Sequence, residues 1–217
     1  MAITVYFVRH GQTYLNLYNR MQGWSDAPLT PKGEEDAKHA GKALAPVHFD
    51  YVLSSDLART MKTARLLLDN HPGNNPEITP EPAFREEFFG YFEGANGQQF
   101  ADFLGGAEGY HSFAEMVAGF GPDELKDRIA AADNYHTAED SKAFWTRIDK
   151  GFDHLRSLPD GSTVLVVSHG ATIRSIANRY SDQIDPGDSP RNGSIMKMTL
   201  DSDQTVVDFY NKLELPQ

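Results

Sequence analysis

The chain has 217 residues, 40% of them apolar and 24% charged, with 31 acidic against 20 basic side chains and a formal net charge of −11. That is the balance of a globular protein with a full core, and its sign excludes the partners that demand a basic face, nucleic acid and anionic membrane. Cysteine is absent, which excludes disulfides, thiolate metal ligands and cysteine-based nucleophilic catalysis.

The first element expected is a strand at Ile3–Val8, a continuous apolar run of the kind buried on both faces of a parallel sheet. Leu29-Thr30-Pro31 reads as a helix start, with Thr30 as N-cap, Pro31 at the first helical position, and Ala37, Ala40, Gly41 and Leu44 recurring at helical spacing. Tyr51–Leu53 reads as a short strand, and Ser54-Ser55-Asp56 as the cap of a helix running to about Asp69. His71–Pro82, with four prolines, is a loop carrying a brief strand around Ile78. The stretch from about 95 to 140 is rich in glycine, aromatics and acids, and reads as an inserted, mostly helical cap beside the pocket. Beyond it come a helix over Ser141–Leu158, a strand at Thr163–Ser168, a helix at Ala171–Tyr180 and closing strands near Ser194–Leu200 and Thr205–Tyr210. Alternating strands and helices predict an α/β fold, a three-layer αβα sandwich with a mainly parallel central sheet, formed by 1–217 as a single domain with the cap at about 95–140. No apolar run approaches the ~20 residues of a membrane span and the N-terminus has no signal-peptide pattern, so a cytoplasmic protein without a membrane partner is expected.

Two strands end alike. The first runs into Arg9-His10-Gly11, the second long apolar run into Ser168-His169-Gly170, and Arg59 stands in the first turn of the helix after the Tyr51–Leu53 strand. Ligands of open α/β sheets bind at the carboxyl ends of the strands, so these residues converge on one crevice. A neutral imidazole can attack phosphorus, two guanidiniums can hold the phosphoryl oxygens with forked, charge-assisted bonds, and the Gly170-Ala171 amides at a helix N-terminus favour an anion. Concentrating the cations in one cleft reconciles an anionic substrate with the acidic whole. The leaving group needs an acid, and Glu86, with Glu87 beside it in the aromatic segment Phe84–Gly94, is the candidate whose burial would raise a carboxyl. Glu93 in the same segment reads as a turn-fixing residue. His39, His48, His71, His111, His136 and His154 lack ligand-like spacing, so neither a metal site nor a cofactor is expected.

These motifs, with Asn16, Gly23…Pro28-Leu29-Thr30, Gly33, Ser54-Ser55-Asp56-Leu57-Ala58-Arg59-Thr60 and the Arg85-Glu86-x-x-Phe89-Gly90-x-x-Glu93-Gly94 stretch, resemble the histidine phosphatase superfamily, which includes cofactor-dependent phosphoglycerate mutase. The resemblance implies His10 as phosphorylated nucleophile, Arg9, Arg59 and His169 as catalytic and phosphate-binding residues, Asn16 as a further donor, and Glu86 as proton donor and later base, all without a metal. The segment after the acid looks more similar to the phosphatase branch, so the expected activity is a metal-independent phosphomonoesterase acting on a small phosphorylated metabolite. A phosphoglycerate mutase is the alternative of the same class, for which Arg20, Arg85 and Lys32 could supply a second anion site. The alternative of another class is a non-catalytic protein that binds a phosphate ligand.

Overall fold

The computed structural model describes residues 2–73, 75–201 and 204–216. Its sheet has six strands in the order β3-β2-β4-β1-β5-β6, with β1 at Ile3–Arg9, β2 at Tyr51–Ser54, β3 at Ile78–Pro80, β4 at Thr163–Ser168, β5 at Ile195–Leu200 and β6 at Thr205–Lys212. β1, β4, β2 and β3 pair in parallel, while β5 runs antiparallel to β1 and β6 antiparallel to β5. The central strands are apolar at consecutive positions because both faces are covered. On β4, Val164 and Val166 join one core with Val5 and Phe7 of β1, whereas Leu165 and Val167 join the opposite core with Val8.

The helices are α1 (Tyr14–Leu17), α2 (Pro31–Ala43), α3 (Ala58–Asp69), α4 (Gly97–Gly105), α5 (Phe113–Phe120), α6 (Pro122–Ala132), α7 (Ser141–Ser157) and α8 (Gly170–Tyr180). Phe144, Ile148, Phe152 and Leu155 of α7 and Ile173 and Ile176 of α8 fill the first core. Ala40 and Leu44 of α2 with Ala64 and Leu67 of α3 fill the second, giving the three layers expected. Truncating a fully buried aromatic such as Phe152 to alanine costs about 3–5 kcal/mol. α2 begins as expected, with the Thr30 side chain accepting from the Gly33 amide and Pro31 in the first turn. Gly33 is required by close approach, since a Cβ there would lie 2.0 Å from the Gln12 carbonyl oxygen. The loop after β1 is thereby pressed against the start of α2.

The start of α3 departs from expectation. It begins at Ala58 behind Leu57, with no side-chain cap, rather than being capped by Ser54-Ser55-Asp56. Each of those polar side chains has a competing partner: Ser54 closes β2 and donates to the Ser55 carbonyl, Asp56 accepts from Arg85 Nε at 2.6 Å, and Ser55 meets His169. Tertiary partners outbid the local cap. Helix α8 starts one residue earlier than expected, at Gly170.

Helices α4, α5 and α6 occupy 97–132 and build a satellite core from Phe100, Met116, Val117, Leu125 and Ile129 with Met21, Phe89 and Phe92 beneath them. This is the mostly helical insertion, resting on the segment that carries Glu86. Among the described residues no helix is long and apolar enough to cross a membrane.

Candidate active site

Parallel pairing brings the carboxyl ends of β1, β2 and β4 level, with Arg9 beside Ser168 and Ser54 beside Val167. The residues immediately beyond these ends form the floor of a crevice. His10 is 3% exposed, and its Nδ1 lies 2.8 Å from the Gly11 carbonyl oxygen, which can only accept. Nδ1 therefore carries the proton, and the Nε2 lone pair accepts from Arg59 Nε–H at 3.4 Å. Burial first, then the positive charges of Arg59 and Arg9, hold His10 well below the usual imidazole range, so it is neutral.

Arg59 is the hub of the floor. Its Nη2 donates to the Gly23 carbonyl at 2.6 Å and lies 2.9 Å from His169 Nδ1, and its Nη1 donates to the Ser25 carbonyl at 2.9 Å and to Asp26 at 3.2 Å. A guanidinium only donates, so His169 Nδ1 accepts and its Nε2–H donates to Ser55 Oγ at 2.8 Å. The two imidazoles face each other edge to face, with centroids 5.2 Å apart. His169 is fully buried and, like His10, held well below its ordinary value by burial and then by Arg59. It enters the site as a neutral ring.

Arg9 forms the next wall. Its Nη1 donates to the Pro190 carbonyl, and its Nε is buried without a partner, free for a ligand oxygen. The guanidinium lies against the start of α8, where a Cβ on Gly170 would fall 3.1 Å from Arg9 Cζ and Nε and press it aside by a few tenths of an ångström. Asn16 completes a capping box with Thr13 at α1 and donates to Gln22 Oε1 at 3.3 Å, while lining the cleft above Arg9. Asn192, which sequence reasoning missed, donates to the His10 carbonyl at 2.9 Å and fixes the turn from behind. Its 182-residue separation from His10 left no local signal.

Glu86 stands at the opposite wall, 6% exposed. Its Oε2 accepts from the Ala171 amide at 3.0 Å, and its Oε1 accepts from the Thr172 amide at 2.9 Å and the Thr172 hydroxyl at 3.0 Å. The N-terminus of α8 thus holds the acid, and the Ala171 amide expected to meet phosphate is engaged by Glu86 instead. The carboxyl that burial lifts is its neighbour Glu87, pushed up to about 8. Glu93 fixes a turn as expected, its carboxylate accepting from the amides of Gly23, Trp24, Ser25 and Phe89.

Above the floor opens a cleft of about 390 Å³, walled on the core side by Arg9, Glu86 and Ala171 and on the cap side by Gln98, His111 and Phe113. Of the bases considered for a second anion site, Arg20 lies at this cleft, Arg85 pairs with Asp56 in a separate groove, and Lys32 pairs with Asp36 at 2.7 Å. One more cation does line the cleft, Arg174, four residues along α8 from Gly170. That helical spacing from the Ser168-His169-Gly170 motif was the signal that could have found it. Among the described residues no group of three or more His, Asp or Glu is arranged to hold a metal ion.

The profile of the histidine phosphatase superfamily (branch 1) matches residues 5–213. A 2,3-bisphosphoglycerate-dependent phosphoglycerate mutase of Cytophaga hutchinsonii is 31% identical over 184 residues, 83% of this chain and 78% of that protein. The crystal structure of a phosphoglycerate mutase from Bacillus anthracis superposes with a TM-score of 0.88 at 33% identity, over 98% of this chain and 94% of that one. An alpha-ribazole phosphatase from Shigella flexneri, at 20% identity and a TM-score of 0.70 over 99% and 98% of the two chains, shares the fold. The superfamily comprises enzymes, mutases and phosphatases, that act on small phosphorylated substrates. With its sheet, its ordered motifs and a profile match over nearly its whole length, the chain belongs to the histidine phosphatase superfamily.

Proposed function

We propose that the chain is a metal-independent phosphomonoesterase that works through a phosphohistidine on His10. The observation that carries this reading is the neutral His10 ring, whose Nδ1–H is committed to the Gly11 carbonyl and whose Nε2 is met by the Arg59 guanidinium, beside the cleft that the adjoining Arg9 lines. In the first step Nε2 forms a bond to phosphorus as the ester P–O bond breaks, and the leaving oxygen receives its proton by way of Glu86. The Gly11 carbonyl accepts from Nδ1–H and so stabilises the positive charge the ring acquires. Arg9 and Arg59 neutralise the equatorial oxygens. The arriving phosphate dianion draws the Arg59 fork off His169 Nδ1, and that nitrogen then takes up a proton from solvent and donates it in a hydrogen bond to the phosphoryl group while Nε2–H stays on Ser55. In the second step water attacks phosphorus, Glu86 takes its proton, the P–N bond breaks and His10 returns neutral.

Hydrolysis rather than transfer to a second hydroxyl is supported by the bases of the cap, which turn away from the cleft. Lys126 is buried and donates to Ser175 Oγ at 2.8 Å, and Arg128 pairs with Glu108 and Glu124; Lys142, at the start of α7, lines the separate groove. A mutase, which must retain a bisphosphate between half-reactions, is the second reading, favoured by the names of relatives at 31–33% identity. The deciding experiment follows phosphate release from a panel of phosphomonoesters in excess chelator, with 3-phosphoglycerate isomerisation measured in parallel in the presence of bisphosphoglycerate. Chelator-resistant release outpacing isomerisation supports the phosphatase. Isomerisation without net release overturns it in favour of the mutase.

A further inference from the structure

The separate groove, on the side of the acid segment away from the active cleft, is the larger of the two, about 750 Å³ against about 390 Å³, and they share no lining residue. Trp24, Pro82, Ala83 and Ala143 supply its apolar lining, and the Arg85 guanidinium lies over the indole at 4.5 Å. Most of its charges are engaged: Arg85 pairs with Asp56, Arg147 with Glu139, Glu81 with His154 at 2.6 Å, and Asp140 accepts from the Ala143 amide at 2.7 Å. Lys142 and Lys150 are the exceptions. Both are exposed on α7, and among the described residues no carboxylate forms an ion pair with either. They stand eight residues apart, about 12 Å along the helix axis, and each carries its charge on a flexible stem. In a chain of net charge −11, a groove with two uncommitted cations is complementary to an anion. Apolar walls with a few convergent polar groups are the make-up of a small-molecule site.

The groove reaches the catalytic acid through the backbone. Trp24 Nε1 donates to the Glu86 carbonyl at 2.8 Å, and Arg147 Nη2 donates to the same oxygen at 3.1 Å. Arg147 Nη1 holds the Ala83 and Arg85 carbonyls on the approach to it, at 2.8 and 3.0 Å. Glu86 thus has its carbonyl fixed by groove residues while the residue itself lines the active cleft.

We propose that this groove is a second ligand site for a small aromatic acid, whose flat body packs on Trp24 while its oxyanion is held by Lys142 and Lys150. The bound acid is an effector of the reaction: it bears on the two side chains that fix the Glu86 carbonyl, and so alters proton delivery to the leaving oxygen without entering the active cleft. The site stands apart from any reading of the chemistry, whereas its effect on turnover rests on the phosphomonoesterase reading above.

The probe is 8-anilinonaphthalene-1-sulfonate, whose fluorescence reports binding, with N-phenyl-1-naphthylamine, the same body without the sulfonate, as its neutral match. The sulfonate should bind one saturable site, and saturating inorganic phosphate, which fills the active cleft, should not displace it. The neutral match should bind at least about 10-fold more weakly, and Lys142→Gln/Lys150→Gln should weaken the sulfonate alone by a similar factor, the scale of losing charge-assisted contacts. On glycerol 3-phosphate the sulfonate should lower kcat by about 3-fold or more with KM unchanged, and on 4-nitrophenyl phosphate less, because nitrophenolate leaves without a proton from an acid. The double variant should keep the wild-type basal kcat and lose this response. Displacement by phosphate, or binding that survives the loss of both lysines, overturns the site. Binding that needs the lysines but leaves every kcat unchanged overturns the effector role. A dimer of this chain that Lys142→Glu/Lys150→Glu disperses would put a second copy in the groove and overturn the small ligand. If no ester is hydrolysed at all, the phosphatase reading fails separately, and the binding measurements still decide the site.

Discussion

The floor and the far wall of the cleft are built on opposite plans. On the floor every nitrogen of Arg59 is spoken for: it binds two backbone carbonyls, Asp26 and both imidazoles, and the two histidines are locked in single tautomers by Gly11 and Ser55. On the wall Arg174 is buried to a similar depth, lies against the Phe113 ring, and has an Nε with no hydrogen-bond partner. A floor whose hydrogen bonds are complete before substrate arrives needs no reorganisation during phosphoryl transfer, which is the condition for electrostatic catalysis. A wall with an unspent cation leaves its hydrogen bonds for the ligand. Chemistry is fixed by the strand ends, and selection is left to α8 and the cap.

The largest effect that would test this division comes from His10→Ala. Loss of a nucleophile should reduce turnover by at least about 10³-fold. A residue at a loop start would be expected to add little to packing, yet His10 is buried and holds both the Gly11 carbonyl and Arg59 Nε. Leaving those groups unsatisfied should cost about 1–3 kcal/mol and lower Tm by several degrees. Phosphate release and thermal unfolding measured on the same preparation separate the two losses. A folded variant with unchanged activity would remove His10 from the mechanism.

Gly170→Ala probes the seam between floor and wall. The new Cβ would meet Arg9 Cζ and Nε at 3.1 Å and push the guanidinium by a few tenths of an ångström, while α8 gains a better helix former. A misplaced clamp of this kind should lower kcat/KM on an aryl phosphate by about 10-fold with Tm unchanged or raised. Wild-type activity would mean that Arg9 is not held as tightly as its contacts indicate.

The two regions were unequally legible in the sequence. The floor was readable because strand ends carry local signatures: an apolar run stopping at Arg9-His10 and another at Ser168-His169 place both imidazoles without knowledge of anything between them. Even there, partners from distant segments escaped. Ser55 was read as a helix cap and is the acceptor for His169, because a local cap and a tertiary hydrogen bond compete for one hydroxyl. Asn192 carries no pattern that points to His10. The wall was hidden for a deeper reason: an arginine is notable only when no carboxylate meets it, and that is a property of everything packed around the side chain. The acidic pair shows the same limit, since adjacency offers both carboxyls, the resemblance rather than the local pattern picks Glu86, and the amides of α8 then hold that residue.

Glu87 gives a smaller, pH-dependent prediction. Burial raises its carboxyl from 4.5 to about 8, with Lys126 opposing the rise. Between those values the native state keeps a proton that the unfolded state has released, so this group's contribution is fully present below about 4.5 and is lost as pH rises toward 8. Burial lowers Lys126, which contributes with the opposite sign above its own reduced value. Glu87→Gln removes the carboxyl's part, so the fall in Tm between pH 5 and pH 8 should be shallower than in wild type by about 5 °C. Parallel Tm curves for the two proteins would show that Glu87 is ionised in the fold.

The smallest expected effect is the sharpest check on the claim that the cap's bases stand clear of the substrate. Arg128 lies over the Phe120 ring, with Cζ 3.8 Å from the centroid, and pairs with Glu108 and Glu124, each at 2.9 Å, on the outer side of α6. Its side chain is 36% exposed, so these pairs are screened by solvent, and Arg128→Ala should cost less than about 1 kcal/mol, a loss that shrinks further with added salt. Because Arg128 does not line the cleft, kcat and KM on every ester of the panel, and the ratio of phosphate release to isomerisation, should match wild type. A change in that ratio alone, at unchanged stability, would mean that the cap closes far enough during turnover to bring Arg128 to the phosphate. It would move the balance toward a mutase, since a lid that supplies positive charge is what retaining a bisphosphate requires.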